Sequence, residues 1–127
     1  MVMNTVRFAI IGCGRIANFH ADPIVQMEDA ELVAVSDLIP ERRKSFYDKY
    51  HVPTYENYHT MLQQEDIDVV CILTPNGMHP AHAIDVIARY KKHVVVEKPL
   101  ALAWEDLARM KMAADRAEVK IFPIYQN

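Results

Sequence analysis

Short apolar runs and amphipathic stretches alternate along the whole chain. The run VRFAII (6–11) is rich in β-branched and aromatic residues, ends at Gly12 and predicts a strand. Residues 14–28 follow with helical spacing. Asp22-Pro23 interrupts them, and an acid before a proline predicts that the helix restarts there. ELVAVSD (31–37) predicts a second strand, and the charged stretch 40–50 a second helix. A short extended piece at 53–56 leads to a small helix over 58–64. DVVCIL (68–73) is apolar at consecutive positions, as a central parallel strand covered on both faces should be. PNGMHP then turns the chain into a helix over 81–89, HVVVE (93–97) predicts another strand, and KPLA another turn. The following helix places Trp104, Leu107, Ala108, Met110, Ala114 and Ala117 on roughly one face. KIFPIY (120–125) predicts a last strand, which Pro123, lacking an N–H, confines to an edge or ends early.

Strands separated by helical patterns of about ten to fifteen residues indicate βαβ units. The expected fold is therefore α/β: a doubly wound, mostly parallel sheet with helices on both faces. Right-handed crossovers put every strand's C-terminal end on one rim, where such sheets bind ligands. Gly12, Asp37, the segment 74–77 and the segment 97–99 all fall on that rim. Residues 1–127 are expected to form one domain, without repeats or linkers.

Composition narrows the partners. Hydrophobic residues make up 51% and charged residues 24%, ordinary for a globular domain. A net charge of −3 argues against a nucleic-acid partner, and the short clusters Arg42-Arg43-Lys44 and Lys91-Lys92 are mixed with acids. No apolar run reaches the roughly 18 residues that would cross a bilayer, and the N-terminus lacks a signal-peptide pattern. Cys13 and Cys71 sit in or beside buried-strand patterns, so two reduced thiols and a cytoplasmic location are expected.

Candidate chemistry concentrates on the rim. Gly12 and Gly14 are two of only three glycines in the chain. GCGRIA (12–17) matches G-x-G-x-x-G/A, in which the first glycine makes the turn and the second lets the backbone approach a pyrophosphate. The third small residue, here Ala17, lets helix and strand pack closely. A merely structural tight turn would read the same way, but context favours the dinucleotide. The motif follows a strand, opens a helix, and is answered by Asp37 twenty positions beyond Ala17. An acid there accepts hydrogen bonds from the adenosine ribose and repels a 2′-phosphate, so NAD is expected ahead of NADP. Arg42 and Arg43, which could accommodate that phosphate, pull the other way.

Two further motifs share the rim. TPNGMHP (74–80) offers the Thr74 hydroxyl and a turn at Asn76-Gly77, yet spacing alone favours a plain strand-to-helix connection. His79 and His82 lie three apart, but no further ligand stands at metal spacing, so no metal is expected. EKPLA (97–101) puts Glu97 and Lys98 directly after an apolar run. A lysine in a partly desolvated cleft can serve as acid or base, with the carboxylate holding or tuning it. A surface Glu-Lys pair capping a strand is equally compatible with these residues.

Taken in order, GCGRIANFH, the SD at 36–37, TPNGMHP, EKPLA and the terminal YQN resemble the Gfo/Idh/MocA family of NAD(P)-dependent sugar and inositol dehydrogenases. The resemblance implies a Rossmann domain whose glycine turn, with Arg15 and Ile16, binds the pyrophosphate, and whose Asp37 binds the adenosine ribose. It implies that Thr74, Asn76 and His79 line the cofactor cleft and that Glu97 lies near the nicotinamide ribose. Lys98 is implied to be the catalytic lysine, followed by Pro99. Gln126 and Asn127 resemble a pair that reaches toward the nicotinamide. His20 matches a recurrent position for which packing of the first helix is the expected role. GCGRIAN and WEDL…MKMAAD also look similar to members that oxidise UDP-N-acetylglucosaminuronate.

Family members continue into a second α/β domain that binds substrate and usually builds a homo-oligomer. These 127 residues are therefore expected to be the cofactor half, inactive alone. The expected activity of the whole is hydride transfer from a sugar or nucleotide-sugar carbinol to NAD. An NAD-dependent glycoside hydrolase of the same superfamily and a non-catalytic dinucleotide-binding module are the alternatives.

Overall fold

The structure, a computed structural model, describes residues 5–75, 78–97 and 103–124. Six parallel strands form one sheet: β1 (Val6–Ile11), β2 (Ala30–Ser36), β3 (Thr54–Tyr55), β4 (Val69–Ile72), β5 (His93–Val96) and β6 (Ile121–Pro123). Their spatial order is β3-β2-β1-β4-β5-β6. The chain winds outward from β1 in one direction, returns to lay β4 against β1, and winds outward in the other. Between β1 and β4 the two crossovers leave in opposite directions, which opens a crevice above the strand ends.

Residue alternation along the strands feeds two cores. Ala9, Ile11, Val70, Ile72, Val94 and Val96 face α3 (Tyr58–Gln64), α4 (His79–Tyr90) and α5 (Trp104–Ala117). Ile10, Leu32, Val35 and Cys71 face α1 (Ala17–Gln26) and α2 (Pro40–Tyr50), where Ala17, Ala21, Ile24 and Phe46 close the layer. All four residues of β4 are buried, as its continuous apolar run requires of a central strand. Both edges are short: β3 has two residues, and β6 ends on Pro123.

Three local expectations are corrected. α1 does not stop at Asp22 but runs through Pro23. Asp22 does not start a new helix, because its carboxylate accepts a 2.6 Å hydrogen bond from the Tyr50 hydroxyl and pairs with Lys49 at 3.6 Å. α4 begins at His79 rather than 81, since Pro80 falls in its first turn, where a missing N–H costs little. On α5 the packing stripe centres on Met110 and Ala114, with Ala113 and Ala117 against the same core. Trp104 is 83% exposed and Ala108 also faces solvent, so the expected stripe is shorter at its N-terminal end and narrower.

Helix ends show how a glycine-poor chain manages. α2, α4 and α5 finish on His51, Lys91 and Glu118, each left-handed at φ 55 to 58°, where glycine is the usual residue.

Pro23 removes the N–H that would bond the Phe19 carbonyl, one turn back. Pro23→Ala is expected to raise unfolding stability by about 1 kcal/mol, the helix gain being partly offset by a freer unfolded chain. Urea denaturation showing an unchanged or lower midpoint would contradict this.

Candidate functional site

The rim is built from the ends of β1, β2, β4 and β5. Gly12 leaves β1 at φ +98°, a conformation side chains rarely adopt. A Cβ there would lie 2.8 Å from the carbonyl carbon and oxygen of Leu73 and 3.0 Å from the Thr74 amide. Gly12 therefore lets the first turn pass against the end of β4. Its own N–H donates to the Ser36 carbonyl at 2.8 Å, and the Leu73 N–H donates to Ile11 at 2.9 Å, so three strand ends are stitched together.

Gly14 is different. Among the described residues, a Cβ on it would meet only Arg42 Nη1, at 3.9 Å, an ordinary contact. Nothing in the packing of those residues demands glycine there. The helical hydrogen bonds begin just beyond it, with Ala17 N–H to Gly14, Asn18 N–H to Arg15 and Phe19 N–H to Ile16. The amides ahead of Ala17 precede that ladder, and they supply the partial positive charge of a helix N-terminus. A bare Cα, leading amides and a half-exposed guanidinium make a cradle suited to a phosphate.

Asp37 is almost wholly enclosed and already used by its own chain. Its Oδ2 accepts from the Cys13 N–H at 2.7 Å, and its Oδ1 from the Ile39 N–H at 2.8 Å. Arg43 donates to its carbonyl at 2.7 Å, and Arg42 stands 3.8 Å from Oδ2. The acid thus ties the glycine turn to the end of β2, a role its spacing did not reveal. A carboxylate has about four acceptor positions, so two remain for a diol. Burial, reinforced by Asp37, pushes the Cys13 thiol up to about 12; burial alone does the same for Cys71. Both cysteines are free and buried, which keeps them in the thiol form.

Across the rim, Glu97 follows β5 and is 9% exposed. His20, from the second turn of α1, donates Nε2–H to Glu97 Oε2 at 2.8 Å. His20 therefore does more than pack its helix. The two residues lie 77 positions apart, and no local pattern joins them. Thr74 and His79 also meet: buried His79 donates Nε2–H to the Thr74 carbonyl at 2.6 Å. Arg15 is exposed and Ile16 half-buried at the head of α1. Gly12, Gly14, Arg15, Ile16, Asp37, Thr74, His79 and Glu97 thus all stand along this rim. Asn76, Lys98, Gln126 and Asn127 lie outside the described residues. No group of three or more metal-binding side chains occurs among the described residues, and none of their helices is long and apolar enough to cross a membrane.

A parallel sheet in this order, with an open glycine cradle at its switch point and an acid closing the next strand, defines a dinucleotide-binding Rossmann-type domain. The chain belongs to the Gfo/Idh/MocA oxidoreductase family with the NAD-binding Rossmann fold, whose model matches residues 6–125. It is 32% identical to a myo-inositol 2-dehydrogenase of Thermotoga maritima over 118 residues, 92% of this chain and 35% of that protein. It is also 32% identical to a glucose-6-phosphate 3-dehydrogenase of Bacillus subtilis, over 90% of this chain and 32% of that protein. Among solved structures it is similar to the WlbA dehydrogenase of Bordetella pertussis, determined in complex with NADH and UDP-GlcNAcA. That match has TM-score 0.90 and 38% identity, covering 95% of this chain and 37% of the other. The chain spans about a third of the length of the curated relatives it matches. Its matched fold is that of an NAD-binding domain.

The two rim glycines should separate experimentally. Gly12→Ala is expected to cost about 2–4 kcal/mol, through left-handed strain and the carbonyl contact, whereas Gly14→Ala should stay within about 1 kcal/mol of wild type. Equal losses in urea denaturation would contradict the division of labour.

Proposed function

We propose that this chain is the NAD-binding half of a dehydrogenase that removes hydride from a carbinol carbon of a sugar or nucleotide sugar. The observation that carries the reading is the open Gly14 cradle beside α1, a glycine that the packing of the described residues does not require. The pyrophosphate would rest on that turn with Arg15 and Ile16, and Asp37 would take the adenosine ribose through its remaining acceptor positions. Thr74, Asn76 and His79 would line the cleft, and Gln126 would reach toward the nicotinamide end. Bound NAD supplies the hydride acceptor. Lys98 would accept the hydroxyl proton at Nζ as the hydride leaves the same carbinol carbon, giving a carbonyl. Glu97, held by His20, would keep a fixed carboxylate next to that lysine and near the nicotinamide ribose.

A nucleotide-sugar acid is the favoured substrate class, supported by similarity to the enzyme solved with NADH and UDP-GlcNAcA. Groups that grip the sugar would come from the part of the whole protein that this chain does not span, a second domain that also builds a homo-oligomer. Two free buried thiols suit a cytoplasmic setting.

Two experiments test the proposal. Gly14→Val should weaken NAD binding at least roughly tenfold by filling the cradle, while Lys98→Ala leaves it nearly unchanged. Equal NAD affinity of wild type and Gly14→Val by titration calorimetry would remove the pyrophosphate assignment. The intact protein should form NADH with UDP-N-acetylglucosaminuronate, and Lys98→Ala should lower kcat by about a hundredfold or more. Full turnover in that variant would remove Lys98 from the chemistry.

A further inference from the structure

Beside the glycine turn, α4 holds the rim at one residue. Thr74, whose amide abuts Gly12, is gripped twice: His79 takes its carbonyl at 2.6 Å, and His82 Nδ1 lies 2.8 Å from its hydroxyl oxygen. The two histidines are three positions apart on one helix and so share a face. Tyr58 of α3 stands edge-on to the His82 ring, with centroids 5.4 Å apart. The Tyr58 hydroxyl bonds Asp85, which also pairs with Arg89 at 2.8 Å and with His59 at 3.3 Å. His82 thus joins a polar cluster on α3 and α4 to the cleft itself. Neither the glycine motif nor the proposed roles give it any task.

We propose that His82 is a positioning residue for the cofactor cleft, fixing Thr74 against the glycine turn and setting the direction of its hydroxyl proton. The inference rests on the reading of that turn as the NAD site. A neutral imidazole with its proton on Nε2 accepts the Thr74 O–H at Nδ1 and leaves the hydroxyl lone pairs facing outward. A protonated ring offers only N–H at Nδ1, so Thr74 must accept there and turn its own proton elsewhere. One protonation event therefore reverses the polarity of the hydroxyl at the rim.

The groups facing His82 are His79 and Asp85 from α4, Tyr58 and His59 from α3, and Thr74. Burial pulls the His82 pKa below its ordinary 6.5, Asp85 pulls it up, and His79 and His59 add to the lowering. The neutral, Thr74-holding ring is therefore the form present at neutral pH. It is lost only as pH falls below that ordinary value.

The test titrates NADH into the intact protein by calorimetry at about pH 8 and then at stepwise lower pH, down to the lowest at which the protein stays folded, because the His82 pKa lies below the ordinary imidazole value. His82→Leu keeps bulk without a polar atom. His82→Asn places an amide near the Nδ1 position but cannot titrate. His82→Leu should weaken NADH binding by about fivefold to tenfold at the higher pH, the loss of one hydrogen bond, while His82→Asn stays within about threefold of wild type. On acidification, wild type should lose affinity relative to His82→Asn. A second measurement needs no cofactor: the nitrogen-15 resonance of His82 Nδ1 should move on Thr74→Val. Leu and wild type binding alike, a wild-type pH slope equal to that of His82→Asn, or an Nδ1 resonance indifferent to Thr74→Val would each overturn the positioning role. Wild type failing to bind NADH would overturn the underlying site instead, and the proposal with it.

Discussion

The contact on which the rest depends is the passage of Gly12 against the carbonyl of Leu73. Two strands that belong to opposite windings of the sheet meet there, and both must leave their ladder in the space one methyl group would occupy. Because the backbone can pass, the turn after β1 stays close to the end of β4, and α1 starts beside the switch point. Because it stays close, Asp37 can reach the Cys13 amide and His79 can reach Thr74. A larger residue at position 12 would separate the two halves before any ligand was considered.

Charge is handled on this rim by tying it down. Asp37 is held by two amides, with Arg42 and Arg43 beside it, and Glu97 is held by His20. Each acid is enclosed and each is hydrogen-bonded, so its direction is set before a ligand arrives. A cofactor meeting such groups does not have to order them, and that order is a large part of what binding otherwise costs.

Much of this was legible because the signals are local. Continuous apolar runs marked β1, β4 and β5, and their spacing with the helices announced a parallel sheet. The glycine motif and Asp37 were found by spacing alone. Part of what escaped depends on partners far away in the chain. Asp22 looked like a helix start because Tyr50 and Lys49, which hold it, come from α2. His20 looked like packing because Glu97 is 77 positions distant. His79 and His82 looked like a metal spacing to be dismissed, whereas their common partner is a threonine on the preceding loop. Trp104 fitted the apolar period of α5 yet faces solvent, since periodicity gives a stripe without saying where along the helix the sheet lies.

The scarcity of glycine has a consequence away from the rim. His51, Lys91 and Glu118 each finish a helix in the left-handed region, at an expense of about 1 kcal/mol or more apiece for a residue with a side chain. Before folding, however, the same side chains deny the chain many of the conformations that glycine would explore. The disordered ensemble from which this domain condenses is correspondingly stiffer and loses less entropy on ordering. Part of its stability therefore resides in a state that no native contact displays.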